Sequence, residues 1–182
     1  MNPEHSKKIN SNTVSNLQSH NTALIRKTLD ELSEKGNSSY IPLLIELLHS
    51  TENLEIKKRI ARLLSELKHS DAIPLIVDAI QNKQYVNELQ YLVSACWENG
   101  MDYSNHLSTF VDLVVDSDFM LAFEAQTVII NMTGKISEAI YEREIKKIKG
   151  AMPAAEENKK QILQDLLNFL PELKEGISPE TF

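Results

Sequence analysis

The chain has 182 residues, 42% of them hydrophobic and 25% charged, with a net charge of −7. That length and apolar content support one domain with a sizeable core, and no run approaches the roughly 20 apolar residues that span a bilayer. The single cysteine, Cys96, excludes an internal disulfide, and the Asn- and Ser-rich start, Met1 to His20, lacks the apolar stretch of a secretory leader, so a cytoplasmic location is expected.

Taken in chain order, apolar residues recur at steps of three and four throughout. Residues 1–20 offer only Ile9, Val14 and Leu17 for burial and read as a polar arm, flexible or loosely helical. Nine helices follow, over 21–35, 40–49, 54–68, 71–82, 86–99, 104–116, 118–132, 137–149 and 153–170. Ser38 or Ser39, Asn53, Ser70 or Asp71, Ser104, Ser117 and Ser137 supply N-caps. Pro42 and Pro74 fall in first turns, and Pro153 opens the last helix. Pro171 should bend or stop that helix. The five glycines each follow an amphipathic segment, where a left-handed C-cap suits them. The connections are short, so successive helices should pack antiparallel. Residues 174–182 read as a tail.

The segments also repeat. Tyr40-Ile41-Pro42-Leu43-Leu44-Ile45-Glu46-Leu47-Leu48 matches Ala72-Ile73-Pro74-Leu75-Ile76-Val77-Asp78-Ala79-Ile80 at an offset of 32, and a third copy starts at His106, 34 residues later. Each copy of this A helix carries an acid at one place: Glu46, Asp78, Asp112. The B helices between them share a stripe. Ile56, Ile60, Leu63, Leu64 and Leu67 recur as Leu89, Val93, Cys96, Trp97 and Gly100, then as Leu121, Ala125, Val128, Ile129 and Met132. Leu163, Leu166, Leu167 and Leu170 repeat it in the last helix, and Ile25, Leu29 and Leu32 repeat it weakly in the first. One helix pair cannot bury such a stripe alone, but a stack of pairs buries a continuous core. The division expected is a repeat domain over 21–173, with pairs near 38–69, 70–100, 103–133 and 137–173.

The motif at 40–48 with its copy at 72–80, and the segment Glu55-Ile56-Lys57-Lys58-Arg59-Ile60-Ala61-Arg62-Leu63-Leu64, resemble the HEAT-repeat family in its compact bacterial form. The resemblance is good over 38–82, fair over 83–132 and weak over 133–173. It implies an all-α armadillo-type superhelix of about four antiparallel helix pairs plus an N-terminal capping helix. A helices would lie outside and B helices would line the concave side. It also implies a scaffolding or binding role, although the family includes DNA glycosylases and bilin lyases.

Within that register, Cys96 and Trp97 fall where Leu63 and Leu64 sit one repeat earlier, so both read as core. Opposite each B stripe, at about 100° per residue, stand Lys58, Arg62 and Ser65, then Tyr91, Ala95 and Glu98, then Phe123, Thr127 and Ile130. The family geometry makes these the concave groove, basic at one end and apolar at the other. Tyr85, Tyr103, Glu88 and Glu124 flank it as an acidic, aromatic rim. Residues 70–142 hold 2 basic and 11 acidic side chains, a net −9, against +2 for 1–69 and 0 for 143–182. Phosphate backbones are bound by Lys and Arg, so that block argues against nucleic acid and for a basic protein or peptide. His5, His20, His49, His69 and His106 share no helical face, and no metal-binding spacing, phosphate loop or nucleophile elbow occurs. No catalytic, metal or cofactor residue is therefore expected. The expected function is non-enzymatic binding or scaffolding through Tyr91, Glu98, Phe123, Thr127, Ile130, Lys58, Arg62, Glu88 and Glu124. A glycosylase-like or lyase-like enzyme and a subunit of a larger assembly are the alternatives, and the oligomeric state is left open.

Overall fold

The computed structural model describes residues 9–176. Ten α-helices run through them: α1 Ser11–Leu17, α2 Thr22–Lys35, α3 Ile41–Ser50, α4 Leu54–Ser65, α5 Ile73–Gln81, α6 Leu89–Glu98, α7 Leu107–Asp116, α8 Phe119–Ile130, α9 Glu138–Ala151 and α10 Glu157–Glu175. No strand occurs among the described residues. Each odd-numbered helix packs on the even-numbered helix that follows it, and the even-numbered helices also pack on one another in order. The result is an all-α stack of two layers, with the odd helices in one and the even helices in the other.

The local chemistry explains the boundaries. α3, α5 and α7 are each entered through a 3-10 turn, Ser38–Tyr40, Ser70–Ala72 and Ser104–His106. Pro42 and Pro74 then occupy the first turn, where a missing N–H costs nothing. On the even side, the carboxamides of Asn21 and Asn53 and the carboxylate of Asp118 accept from the first free amides of α2, α4 and α8. Asp118 thus replaces Ser117 as the expected cap of α8.

Between the layers lies a continuous core. Leu29, Ile56, Ile60, Leu64, Val93, Ala125, Ile129, Leu163, Leu166 and Leu170 are all buried, as the B stripe requires. Ala122 and Ala125 are small and fully buried, which lets α8 lie close against its neighbours. Polar side chains tie each repeat to the next. Lys68 Nζ reaches the carbonyl of Asn99 at 3.0 Å, and Lys159 Nζ reaches those of Val115 and Ser117 at 2.6 Å each. Both lysines satisfy carbonyls at a helix C-terminus, where positive charge is also favoured.

Several expectations are corrected. Of the arm over 1–20, expected as flexible or loosely helical, residues 1–8 (and His5 with them) lie outside the described residues, and Ser11–Leu17 is an ordered helix with Leu17 buried against α2 and α3. The backbone N–H of Asn10 also donates to Tyr40 Oη at 2.9 Å. In the expected tail, 174–182, residues 177–182 lie outside the described residues, and Lys174 and Glu175 complete α10. Pro171 does not stop that helix, because Leu173 beyond it is buried and its carbonyl accepts from the N–H of Ile136 at 3.1 Å. Pro153 lies in a 3-10 turn before α10, and Gly150 sits inside α9. Only Gly100 and Gly176 have positive φ, 66° and 90°. Gly134 is required for room instead: a Cβ there would meet Asp102 Oδ2 at 2.6 Å and Ser104 Oγ at 2.9 Å.

Candidate functional site

The residues expected to form a binding face divide into a group that the even layer displays and a group that it buries. Lys58, Arg62, Glu98, Phe123 and Ile130 are exposed, while Tyr91, Thr127 and Glu124 are half-buried. On α4 the charges largely neutralise one another. Arg62 Nε pairs with Glu66 Oε1 at 2.8 Å, Arg26 with Glu55 at 3.1 Å, and Arg59 with both Glu55 and Asp30. The basic end of the expected groove is therefore a mixed-charge network rather than a bare cationic patch.

The apolar end is more pronounced than the spacing predicts. Phe123 is 51% exposed and Ile130 47% exposed, and Phe119 and Met120 on the same helix are exposed as well. The rings of Phe119 and Phe123 lie 6.4 Å apart, one helical turn from each other. Thr127 turns its hydroxyl inward and donates to the carbonyl of Phe123 at 2.9 Å.

Trp97 joins this face, and its expected place in the core is corrected. It is 37% exposed, and its indole Nε1–H donates to Glu124 Oε2 at 2.6 Å. Gln90 Nε2 donates to the other oxygen of Glu124 at 3.2 Å. Gln90 and Trp97 stand two turns apart on one face of α6 and together hold the Glu124 carboxylate in place. Cys96 is buried as expected. Its Sγ lies 3.2 Å from the carbonyl of Leu92, and burial pushes the thiol up to about 12 against a lowering contribution from Tyr103.

The expected rim is largely core. Tyr103 is fully buried and packs edge-on against Phe110 at 5.5 Å, with Asn99 Nδ2 donating to its hydroxyl at 3.0 Å. Burial, followed by the neighbouring Cys96, raises the Tyr103 phenol well above its ordinary value. Glu88 is 2% exposed and is paired with His49 Nδ1 at 2.9 Å and Lys57 Nζ at 3.8 Å. Tyr85 is half-buried, donates to Glu46 Oε2 at 3.0 Å, and meets the His49 ring edge-on. Ala95, placed in the groove by its register, is buried too.

One local event accounts for Trp97 and Glu88 together. Between α5 and α6 the chain makes two short 3-10 turns within Lys83–Glu88, separated by a kink at Tyr85 (φ −100°, ψ 23°). These tighter turns and the kink between them bring the chain into α6 at a different phase from α4. Leu92, Val93, Ala95 and Cys96 turn inward, and Trp97 turns outward. Glu55, the counterpart of Glu88 in the preceding repeat, stays on the surface.

A second buried acid escaped the sequence reading. Glu144 of α9 has no exposed surface and accepts from Ser108 Oγ at 2.8 Å and Arg143 Nε at 2.7 Å, with Lys147 Nζ at 3.0 Å. Burial pushes this carboxyl up, but the hydrogen bonds from Arg143, Ser108 and Lys147 outweigh it and leave it below the ordinary glutamate range. Lys147 also pairs with Asp112, the conserved-register acid of α7. The arrangement joins α9 to α7 and presents no open face to a substrate. Among the described residues no three His, Cys, Asp or Glu side chains group as a metal site would need, and no helix is long and apolar enough to cross a membrane.

No curated protein matches the chain. The family model for HEAT repeats matches residues 12–90, from α1 to the start of α6. The two-layer stack continues beyond that span with the same alternation of helices. Residues 12–90 are similar to HEAT repeats, and the described residues stack as an α-solenoid whose outward aromatic residues lie on its even-numbered helices.

Proposed function

We propose that the protein is a non-enzymatic interaction module that holds a partner protein or peptide on the exposed face of α6 and α8, the side that HEAT geometry makes concave. HEAT repeats commonly mediate protein interaction or scaffolding, and solenoids offer extended surfaces suited to it. The observation that carries the reading is the display of Trp97, Phe119, Met120, Phe123 and Ile130 on two adjacent helices. Large apolar side chains clustered on a surface mark interaction sites, and Trp in a rigid setting is a favoured anchor. Trp97 takes the anchoring role on α6, where Tyr91 is only half-buried. Glu98 and Glu124 give the face an acidic character, which selects a basic partner over nucleic acid. We place this activity in the cytoplasm.

The test is capture from the native lysate with wild type and with Phe123→Ser/Ile130→Ser, both of matched thermal stability. A partner held by wild type and lost by the variant supports the reading. A partner retained by the variant places function elsewhere.

A further inference from the structure

The apolar face of α8 has a defined shape. Phe119, Phe123 and Ile130 follow one another at steps of four and seven, so they form a single row along the helix. The row runs over eleven residue steps, which is about 16 Å or three helical turns. Its borders carry negative charge. On the α6 side stands Glu124, held by Trp97 and Gln90. On the α10 side stands Asp165, which Gln126 of α8 reaches at 3.4 Å. The outer face of α10 shows Gln161, Gln164, Asp165 and Asn168, all exposed and none apolar, so the row ends there. The nearest lysines of α10 are already engaged, Lys159 with the carbonyls of Val115 and Ser117, and Lys160 with Glu157.

A narrow apolar row, straight over three turns and edged by carboxylates, is the complement of one kind of surface. An amphipathic helix has a straight apolar stripe at i, i+4, i+7 and i+11. Lys and Arg beside that stripe reach outward along their aliphatic stems. Placed about 8–10 Å from the α8 axis, the usual packing distance of two helices, such a helix would set its stripe on Phe119, Phe123 and Ile130. Its cations would then meet Glu124 and Asp165.

We infer that the occupant of this face is a basic amphipathic helix of a partner protein, lying along α8 with the Trp97 indole at its edge. The inference rests on the proposed interaction function and specifies the form of the partner.

Trp97 is the only tryptophan, so its emission reports on this face alone. The full chain is titrated with a synthetic peptide of about 18 residues, or five helical turns, with leucines at i, i+3, i+4 and i+7 and lysines elsewhere. Two controls replace every lysine with glutamate or every leucine with serine. The expected result is a saturable change in Trp97 emission with the Lys/Leu peptide and roughly tenfold or weaker affinity for both controls, a difference of about 1.4 kcal/mol. Phe123→Ser should weaken the Lys/Leu peptide similarly, and Leu54→Ser, an exposed apolar site on α4, should not.

Equal binding of the Lys/Ser peptide, equal binding of the Glu/Leu peptide, or no effect of Phe123→Ser overturns the inference. A wild-type dimer in light scattering that Phe123→Ser converts to monomer also overturns it, because a second copy then occupies the row. A lysate partner lost in Phe123→Ser/Ile130→Ser, together with no Lys/Leu binding, defeats this inference alone. A partner retained in that variant defeats the interaction reading beneath it.

Discussion

The indole N–H of Trp97 donates to Glu124 at 2.6 Å, and this bond joins α6 to α8 on the face the solenoid leaves open. A tryptophan held by one edge is pre-ordered, so a partner meeting its ring loses less side-chain entropy on binding. Both residues are partly solvated, so the bond contributes modestly to folding. Trp97→Phe and Glu124→Gln should each cost no more than about 1.5 kcal/mol in urea unfolding. Glu124→Ala should shift the emission of Trp97, which loses its acceptor. A loss of several kcal/mol in either conservative variant would return Trp97 to the core.

The core between the layers should respond far more strongly. Phe110 is fully buried and packs edge-on against Tyr103. Phe110→Ala is expected to cost about 3–5 kcal/mol in urea unfolding.

Glu144 should make stability depend on acid pH. Its folded pKa lies below the ordinary glutamate value, which is about 4.3. Its contribution is therefore fully present above that value and is lost as pH falls through the lower folded value. Glu144→Gln should be less stable than wild type by roughly 1–3 kcal/mol near neutrality. The gap should close as the solution is acidified through the carboxylate range, as read by thermal melts at stepped pH.

Two glycines should respond to alanine with opposite signs. Gly150 lies within α9 with nothing within 4 Å of a new Cβ. Gly150→Ala is expected to stabilise by about 0.4–1 kcal/mol. At Gly134 a Cβ would press on Asp102 and Ser104. Those side chains join the α6–α7 and α8–α9 loops, since Asp102 Oδ1 accepts from the N–H of Thr133 at 3.2 Å and Ser104 Oγ from that of Gly134 at 2.9 Å. Gly134→Ala should destabilise by about 1–3 kcal/mol. Thermal melts of the two variants check both signs.

Cys96 should be inert in the native state. Its thiol is buried and pushed up to about 12, so little thiolate forms at pH 8. A thiol reagent is expected to label it only after unfolding by denaturant, and rapid native labelling would show that α6 opens.

The stack itself was legible because every even helix obeys the same rule. Ile60, Val93, Ala125 and Leu163 recur at one place in the repeat, and a solenoid needs little more than that recurrence. α1 was missed because its seven residues bury only Leu17, too little for a period to show. The site was half legible. Phe123 and Ile130 oppose a stripe that α8 preserves from end to end, and they are exposed as the register requires. Trp97, Tyr103 and Glu88 were misplaced because they sit in or beside the repeat that the kinked stretch Lys83–Glu88 re-phases. The sequence of that stretch carries no sign of its winding. Packing of Tyr85 and Glu88 against His49 and Glu46 holds it in place.

Site-specific photo-crosslinking tests the central claim most directly. A benzophenone side chain is placed at Phe123 on the even layer and, separately, at Asp78 on the odd layer, and each protein is irradiated in the native lysate. The account predicts a discrete partner adduct from position 123 and none from position 78. Adducts from position 78 alone would contradict it and move the binding surface to the opposite face of the stack.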